Sequence, residues 1–150
     1  MAYYFDNAEN VERLRITLES WLDTPFRHRA CVKGLGCDCI HFVAGVFDEI
    51  GVFKFIIDDV PKYAPDWHLH NTREALLEGI KTRVPVEQVS LDNPKDGDIM
   101  LGHYGQAASH ASVYLGGYLY HSLNQIGVVK EEFQNSHIRK NLKFALRILA

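Results

Sequence analysis

No stretch of this sequence approaches the roughly 18 consecutive apolar residues that a membrane-spanning helix needs. A basic opening followed by an apolar run is also missing. The first residues, "MAYYFDNAENVERL", therefore read as neither signal peptide nor anchor, and the expectation is a protein that is cytoplasmic when made. There is no basic face either: 16 Lys and Arg against 19 Asp and Glu, interspersed, give a net charge of −3, so neither nucleic acid nor an anionic membrane is expected as a partner. Cysteine is scarce, with three residues, all between Cys31 and Cys39. An odd number so closely placed excludes a framework that staples distant parts of a fold, and fits a reduced compartment or one reactive thiol. Internal repeats and low-complexity tracts are absent. The 150 residues are most simply one domain, long enough to bury about two thirds of the unfolded surface.

What is present falls into two halves. Val11, Leu14, Leu18, Trp21 and Leu22 recur at helical spacing and predict a surface helix over Glu9–Leu22, stopped by "DTP". A wider apolar stripe, Phe42, Val43, Val46, Phe47 and Ile50, predicts a largely buried helix from Cys39 to Ile50, ended by Gly51. The aromatic, proline-interrupted stretch that follows predicts a connection and then a short helix over Thr72–Gly79. After "PKDGD" come strand patterns in "DIMLG", "SHASVYLG", "YLYHSL", "GVVKEEF" and "KFALRIL". Helices first and an antiparallel sheet second argue for an α+β domain. Asp96 and Asp98, flanking Gly97, are accounted for by turn chemistry.

The stretch "GCDCIHF", residues 36 to 42, admits three readings: a metal site, half of a redox pair, or one reactive thiol. Zinc is disfavoured, because structural sites pair two knuckles of two to four residues and the cysteine spacings here do not. Cys37 is too close in sequence to Cys39 for an unstrained disulfide. Cys39, in contrast, stands in the first turn of its helix with Asp38 as N-cap. There the unpaired N–H groups and helix dipole lower a thiol's pKa, so Cys39 is expected to react well below pH 8 while Cys31 and Cys37 lag. The competing reading of Cys39 is a small buried hydrophobe.

A nucleophilic cysteine needs a base, and the base needs an orienting group. In "SHASVYLGGYLYHSL", Gly116-Gly117 can make a two-residue hairpin turn, which sets Leu115 against Tyr118, Ser112 against His121 and His110 against Leu123. His110, Ser112, Tyr114, Leu119, His121 and Leu123 then share one face. His110 and His121 are diagonal neighbours about 7 Å apart by backbone, near enough for one imidazole to orient the other.

The ordered set "DTPFRHRACVKGLGCDCIHFV", "DGDIML" and "SHASVYLGGYLYHS" resembles the NlpC/p60 family of papain-like cell-wall cysteine peptidases across roughly residues 9 to 149. The family's segments are Gly-Thr-Pro-Tyr, Asp-Cys-Ser-Gly, a Gly-Asp strand and a His-hydrophobic-Gly-Ile-Tyr-Leu-Gly strand, followed by a second His. The resemblance implies a papain-like fold over residues 1–150, with Cys39 as nucleophile, His110 as general base and His121 as the orienting third member. The residues by themselves pick the same three. Asp38 and the Cys39 N–H would support the helix start and the oxyanion. Phe26, His41, Trp67 and Ser112 are candidates for the substrate groove, though a tryptophan after Pro-Asp is more often a loop anchor, and His41, on the helix side away from Cys39's neighbours, is more simply a residue of the helix surface or one supporting the site. No metal or organic cofactor is required.

The implied substrate is a peptidoglycan stem peptide, cut between D-γ-glutamyl and diaminopimelate or lysine. The sequence departs from the family at Ile40-His41, where Ser-Gly is usual, and at Phe26, where a tyrosine hydroxyl is usual. The "DC" pair and the long aromatic loop look most like the phage-tail and prophage branch, which implies phage-tail proteins as partners and a virion tail or the cell wall as destination. Two alternatives stay open: acyl transfer or amide hydrolysis on another substrate with the same triad, and a structural tail-assembly protein with a vestigial thiol.

Overall fold

A computed structural model of the chain describes residues 2–57, 60, 73–105 and 107–150. The first helix, α1 (Ala8–Trp21), starts where Asn7 Oδ1 accepts the N–H groups of Glu9 and Asn10 at 2.8 and 3.1 Å, satisfying two of the orphan donors of the first turn. Its buried residues, Leu14, Thr17, Leu18 and Trp21, keep the three-to-four spacing of one helical face. A short hairpin, β1 (Cys31–Val32) and β2 (Gly36–Cys37), leads directly into α2 (Cys39–Glu49). Phe42, Val43, Val46 and Phe47 bury the inner side of α2; full burial of each phenylalanine is worth about 1.5–3 kcal/mol.

The third helix, α3, runs over Ala75–Arg83; the expected start, Thr72, lies outside the described residues, and the helix continues past the expected end at Gly79. Gly79, the last residue of the expected span, lies inside it; a single glycine costs only about 1 kcal/mol in a helix, and the breaker is Pro85.

The remaining strands are β3 (Val86–Val89), β4 (Ile99–His103), β5 (Ala108–Leu115), β6 (Tyr118–Leu123), β7 (Gly127–Glu132) and β8 (Leu142–Ile148). They form one antiparallel sheet in the order β3-β8-β4-β5-β6-β7. The expected α+β architecture is thus present. β3 and the small β1/β2 hairpin were not legible, since strands of two to four residues carry too few alternations to show a period.

Alternation assigns the sheet's two faces. Ile99, Leu101, Ala111, Val113, Tyr120, Leu146 and Ile148 pack against α1 and α2 in the main core. Met100, Leu119 and Ala145 point the other way and meet Phe133 and Ile138 in a second, smaller cluster. Tyr120 also ties the sheet to α1, its hydroxyl donating to Glu19 Oε2 at 2.5 Å.

Where α1 and α2 cross, Gly45 permits the close approach: a Cβ there would lie 2.7 Å from the Trp21 ring and 2.8 Å from Cys31 Sγ. Gly45→Val is therefore expected to lower stability by about 1–3 kcal/mol, measured by urea denaturation, through overpacking. An unchanged midpoint would show that this contact yields.

Beside the turn before β4, Asp98 is fully buried, and Arg147 on β8 donates to both of its carboxylate oxygens at 2.8 Å. Turn chemistry covers only part of what these two residues do: Asp98 Oδ2 accepts the Lys95 N–H within the turn, but Asp96 Oδ1 accepts the Gly116 N–H from the β5–β6 turn, and the Asp98 carboxylate also takes Arg147. That partner comes from a strand 49 residues away, which no local pattern announces.

Candidate active site

The hairpin between β5 and β6 turns on Gly116-Gly117 with φ of +58 and +86, the two positive values that a two-residue type I′ turn demands. Leu115 faces Tyr118, Tyr114 faces Leu119 and Val113 faces Tyr120. There the pairing stops. Ser112–His121 and His110–Leu123 are not ladder partners, because the two strands splay: β5 stays with β4, pairing Ser112 with Met100 and His110 with Gly102, and β6 stays with β7.

The start of α2 fills the opening. Ser122 Oγ donates to the Cys37 carbonyl at 2.9 Å, and the Cys39 thiol donates to the Ser109 carbonyl at 3.6 Å while the Ala111 N–H is directed at its sulfur. The helix thus uses β5 backbone groups that β6 leaves unpaired. It also sets the thiol against the strand on either side of His110.

Asp38 holds this helix start in place. Its Oδ1 accepts the His41 N–H at 2.8 Å and its Oδ2 accepts the Arg29 N–H at 2.8 Å, so one buried carboxylate caps α2 and pins the segment before β1.

His110 and His121 share the sheet face away from the helices, and His110 Nε2 lies 2.8 Å from His121 Nδ1. His121 is fully buried and His110 nearly so. Two residues that the sequence did not single out complete the surroundings. Glu131 on β7 brings Oε1 to 3.1 Å from His121 Nε2, at an angle short of a well-directed hydrogen bond, and Tyr104 packs edge-on against the His110 ring. Glu131 was hidden because its approach depends on the β6–β7 register, in which it faces Leu119 and is diagonal to His121. Tyr104 follows an irregularity in β4 that no alternation predicts.

The other groove candidates separate. Ser112 is fully buried and spends its hydroxyl on the Met100 carbonyl at 3.2 Å, so it lines no groove. His41 is also fully buried; its Nδ1 lies 2.8 Å from Asp38 Oδ1 and its ring meets Phe55 edge-on. It braces the cap instead of facing substrate, because the third position of α2 turns into the protein. Phe26 is half-buried and its backbone bridges Cys37. Trp67, with Asp66, His68 and His70, lies outside the described residues.

Burial dominates the proton affinities. It pushes the Cys39 thiol up to about 12, reinforced by the neighbouring Asp38 charge; the N–H groups of Ala111, Ile40 and Cys39 itself pull the other way but do not prevail. The strongly acidic thiol expected from the helix position is therefore not what the fold produces. Burial, with the charges that His121 and His137 would add, pushes His110 down to about 3, and burial takes His121 to about 4 against the attraction of Glu131. The thiol and the imidazole are thus both neutral at pH 7. Chemically, this is a protonated thiol against the strand that carries a neutral imidazole, one of whose nitrogens is already bonded.

A pH dependence follows. Because His110 is pushed down, it keeps its lone pair well below the ordinary histidine value of about 6.5. The acid limb of kcat/KM is expected below pH 5, with activity at pH 5.5 within about twofold of that at pH 7. An inflection near 6.5 would contradict the burial argument. Likewise, iodoacetamide should modify Cys39 slowly at pH 7 and faster as pH rises.

A helix-start cysteine pressed through a gap in an antiparallel sheet, next to a strand bearing paired histidines, defines a papain-like arrangement. The chain belongs to the NlpC/P60 family, whose model matches residues 23–147. Solved structures share the fold. An NLP/P60-family protein similar to lipoprotein from Staphylococcus aureus superposes with a TM-score of 0.65 at 18% identity, over 96% of this chain and 43% of that one. The NlpC/p60 domain of the peptidoglycan hydrolase SagA gives 0.61 at 14%, over 91% and 97%. The peptidoglycan hydrolase RipB from Mycobacterium tuberculosis gives 0.62 at 17%, over 95% and 66%. This chain therefore spans less than half of the first of these and nearly all of the SagA domain. No curated protein matches the sequence.

Proposed function

We propose that this protein is a cysteine peptidase that hydrolyses an amide bond in peptidoglycan stem peptides, with Cys39 as nucleophile, His110 as general base and His121 orienting it. The observation that carries the reading is the 2.8 Å contact from His110 Nε2 to His121 Nδ1 on the strand whose backbone the Cys39 thiol touches. Membership of the NlpC/P60 family and the likeness to peptidoglycan hydrolases support the substrate class.

In this reading the thiol gives its proton to His110 Nδ1 as sulfur attacks the carbonyl carbon. The resulting oxyanion meets the Cys39 N–H, one of the orphan donors of the first turn of α2. Collapse of the tetrahedral species breaks the C–N bond, and His110 returns the proton to the leaving amine. Water, deprotonated by the same imidazole, then releases the acyl group from sulfur. By its sequence resemblance, the reading takes the bond to be that between D-γ-glutamyl and diaminopimelate or lysine, the catalytic unit to be a single domain over residues 1–150, and the destination to be a phage tail or the cell wall.

The test is digestion of purified peptidoglycans of several wall types by the wild type and by Cys39→Ala, with mass spectrometry of the products. Fragments ending at the D-glutamyl γ-carboxyl, released by the wild type alone, are expected. Turnover of acyl esters without any muropeptide cleavage would favour acyl transfer on another substrate.

A further inference from the structure

The contact between His110 Nε2 and His121 Nδ1 needs one proton, and two arrangements supply it. In the first, His110 carries its proton on Nε2 and donates to His121 Nδ1, so the neutral His121 carries its own on Nε2. In the second, His121 donates from Nδ1 to His110. That leaves a bare Nε2 on His121 and puts the His110 proton on Nδ1, so His110 can accept nothing more. Only the first arrangement leaves a general base.

Glu131 distinguishes them. Its Oε1 stands 3.1 Å from His121 Nε2, where a proton is attracted and a bare lone pair is repelled. The carboxylate is itself fixed: Ser136 Oγ donates to the same Oε1 at 2.7 Å, and the Ile138 N–H donates to Ser136 Oγ at 3.2 Å. Ser136 and Ile138 are buried, so the carboxylate is anchored from a turn that packs on the sheet. His137 Nδ1 lies 3.4 Å from Oε2, the oxygen turned away from His121, and is mostly exposed.

We propose that Glu131 is a positioning residue which, held by Ser136, keeps His121 and His110 in their Nε2–H forms and thereby leaves His110 Nδ1 bare for the thiol proton. The role rests on the peptidase reading for its catalytic consequence, but the tautomers themselves do not. Among the described residues, the titratable groups that face His121 are His110 from β5, Glu131 from β7 and His137 from the turn after it. Of these, Glu131 is the acceptor beside Nε2.

The test is long-range ¹H–¹⁵N correlation on the full chain labelled at histidine, for the wild type, Glu131→Ala and Glu131→Gln, at pH 7. The wild type should show both residues as Nε2–H tautomers. Glu131→Ala should shift His121 towards Nδ1–H and lower kcat on a cleaved muropeptide by about 10- to 100-fold with KM within about twofold, the scale seen for outer groups that fix the tautomer of a metal-bound histidine. Glu131→Gln retains an acceptor oxygen and should preserve the tautomers and most of kcat. Ser136→Ala keeps the carboxylate but frees it, and should give an intermediate loss. Wild-type tautomers with correct Nε2–H protons but no muropeptide cleavage would support the relay while overturning the peptidase reading. A wild-type His121 protonated on Nδ1, or a folded Glu131→Ala with unchanged tautomers, overturns the proposal. Should Glu131→Ala fail to fold, Glu131→Gln and Ser136→Ala decide by the same spectra.

Discussion

Cys39→Ala is expected to lower kcat/KM on a stem-peptide substrate by ~10⁴-fold or more, and His110→Ala by a comparable factor. A 10⁴-fold loss corresponds to about 5.5 kcal/mol of transition-state stabilisation. The two effects should not add. Without sulfur there is no attack for His110 to assist, and with a thiol as strongly protonated as burial makes Cys39, removing the base leaves almost no thiolate at pH 7. The double variant should therefore fall little below either single one, at the residual level due to binding and the oxyanion donors. Single-turnover assays on a defined muropeptide would measure all three. Additive losses would mean that the thiol and the imidazole do not work on the same proton. Full activity in Cys39→Ala would remove sulfur from the reaction altogether.

The second large effect is on stability. Asp98→Ala is expected to cost about 3–5 kcal/mol, because it leaves the Arg147 guanidinium, only 13% exposed, without its carboxylate. For a chain of this size that is a fall in Tm of roughly 6–20 °C, read by calorimetry. The carboxylate also accepts the Lys95 N–H at 2.8 Å, so the turn before β4 loses a bond as well. Replacing both residues, as Asp98→Ala with Arg147→Met, should recover part of the loss, since no charge is then stranded. A cost under 1 kcal/mol for Asp98→Ala would show that water reaches the guanidinium. The pair matters to the site because β8 and β5 flank β4, and Asp98 joins the first of these strands to the turn that leads into β4, whose far end, at Gly102, pairs with His110.

Together the two experiments divide the protein into what reacts and what holds it. The proposed reacting groups sit where α2 meets β5, and their placement depends on a gap between β5 and β6 that the helix start fills. Variants that loosen the sheet without touching that gap, Asp98→Ala among them, should lose melting temperature before they lose turnover at 25 °C.

By itself the sequence determined the two long helices, five of the strands, the Gly-Gly turn that joins β5 to β6 and the shared face of His110 and His121. Each follows from local rules: apolar spacing, capping, alternation and the positive φ that glycine adopts. The short strands escaped, as did α3's true end.

Only the tertiary structure decided how those pieces act. Counting along the hairpin put His110 opposite Leu123, yet the strands part after Val113 and Tyr120, since sheet twist and an inserted helix start are not encoded in any window of ten residues. It also decided that His41 braces Asp38 and that Glu131 reaches His121, both matters of packing across distant segments. The thiol's proton affinity was settled in the same way. A helix start lowers it locally, but burial raises it more, and burial is a property of the whole fold.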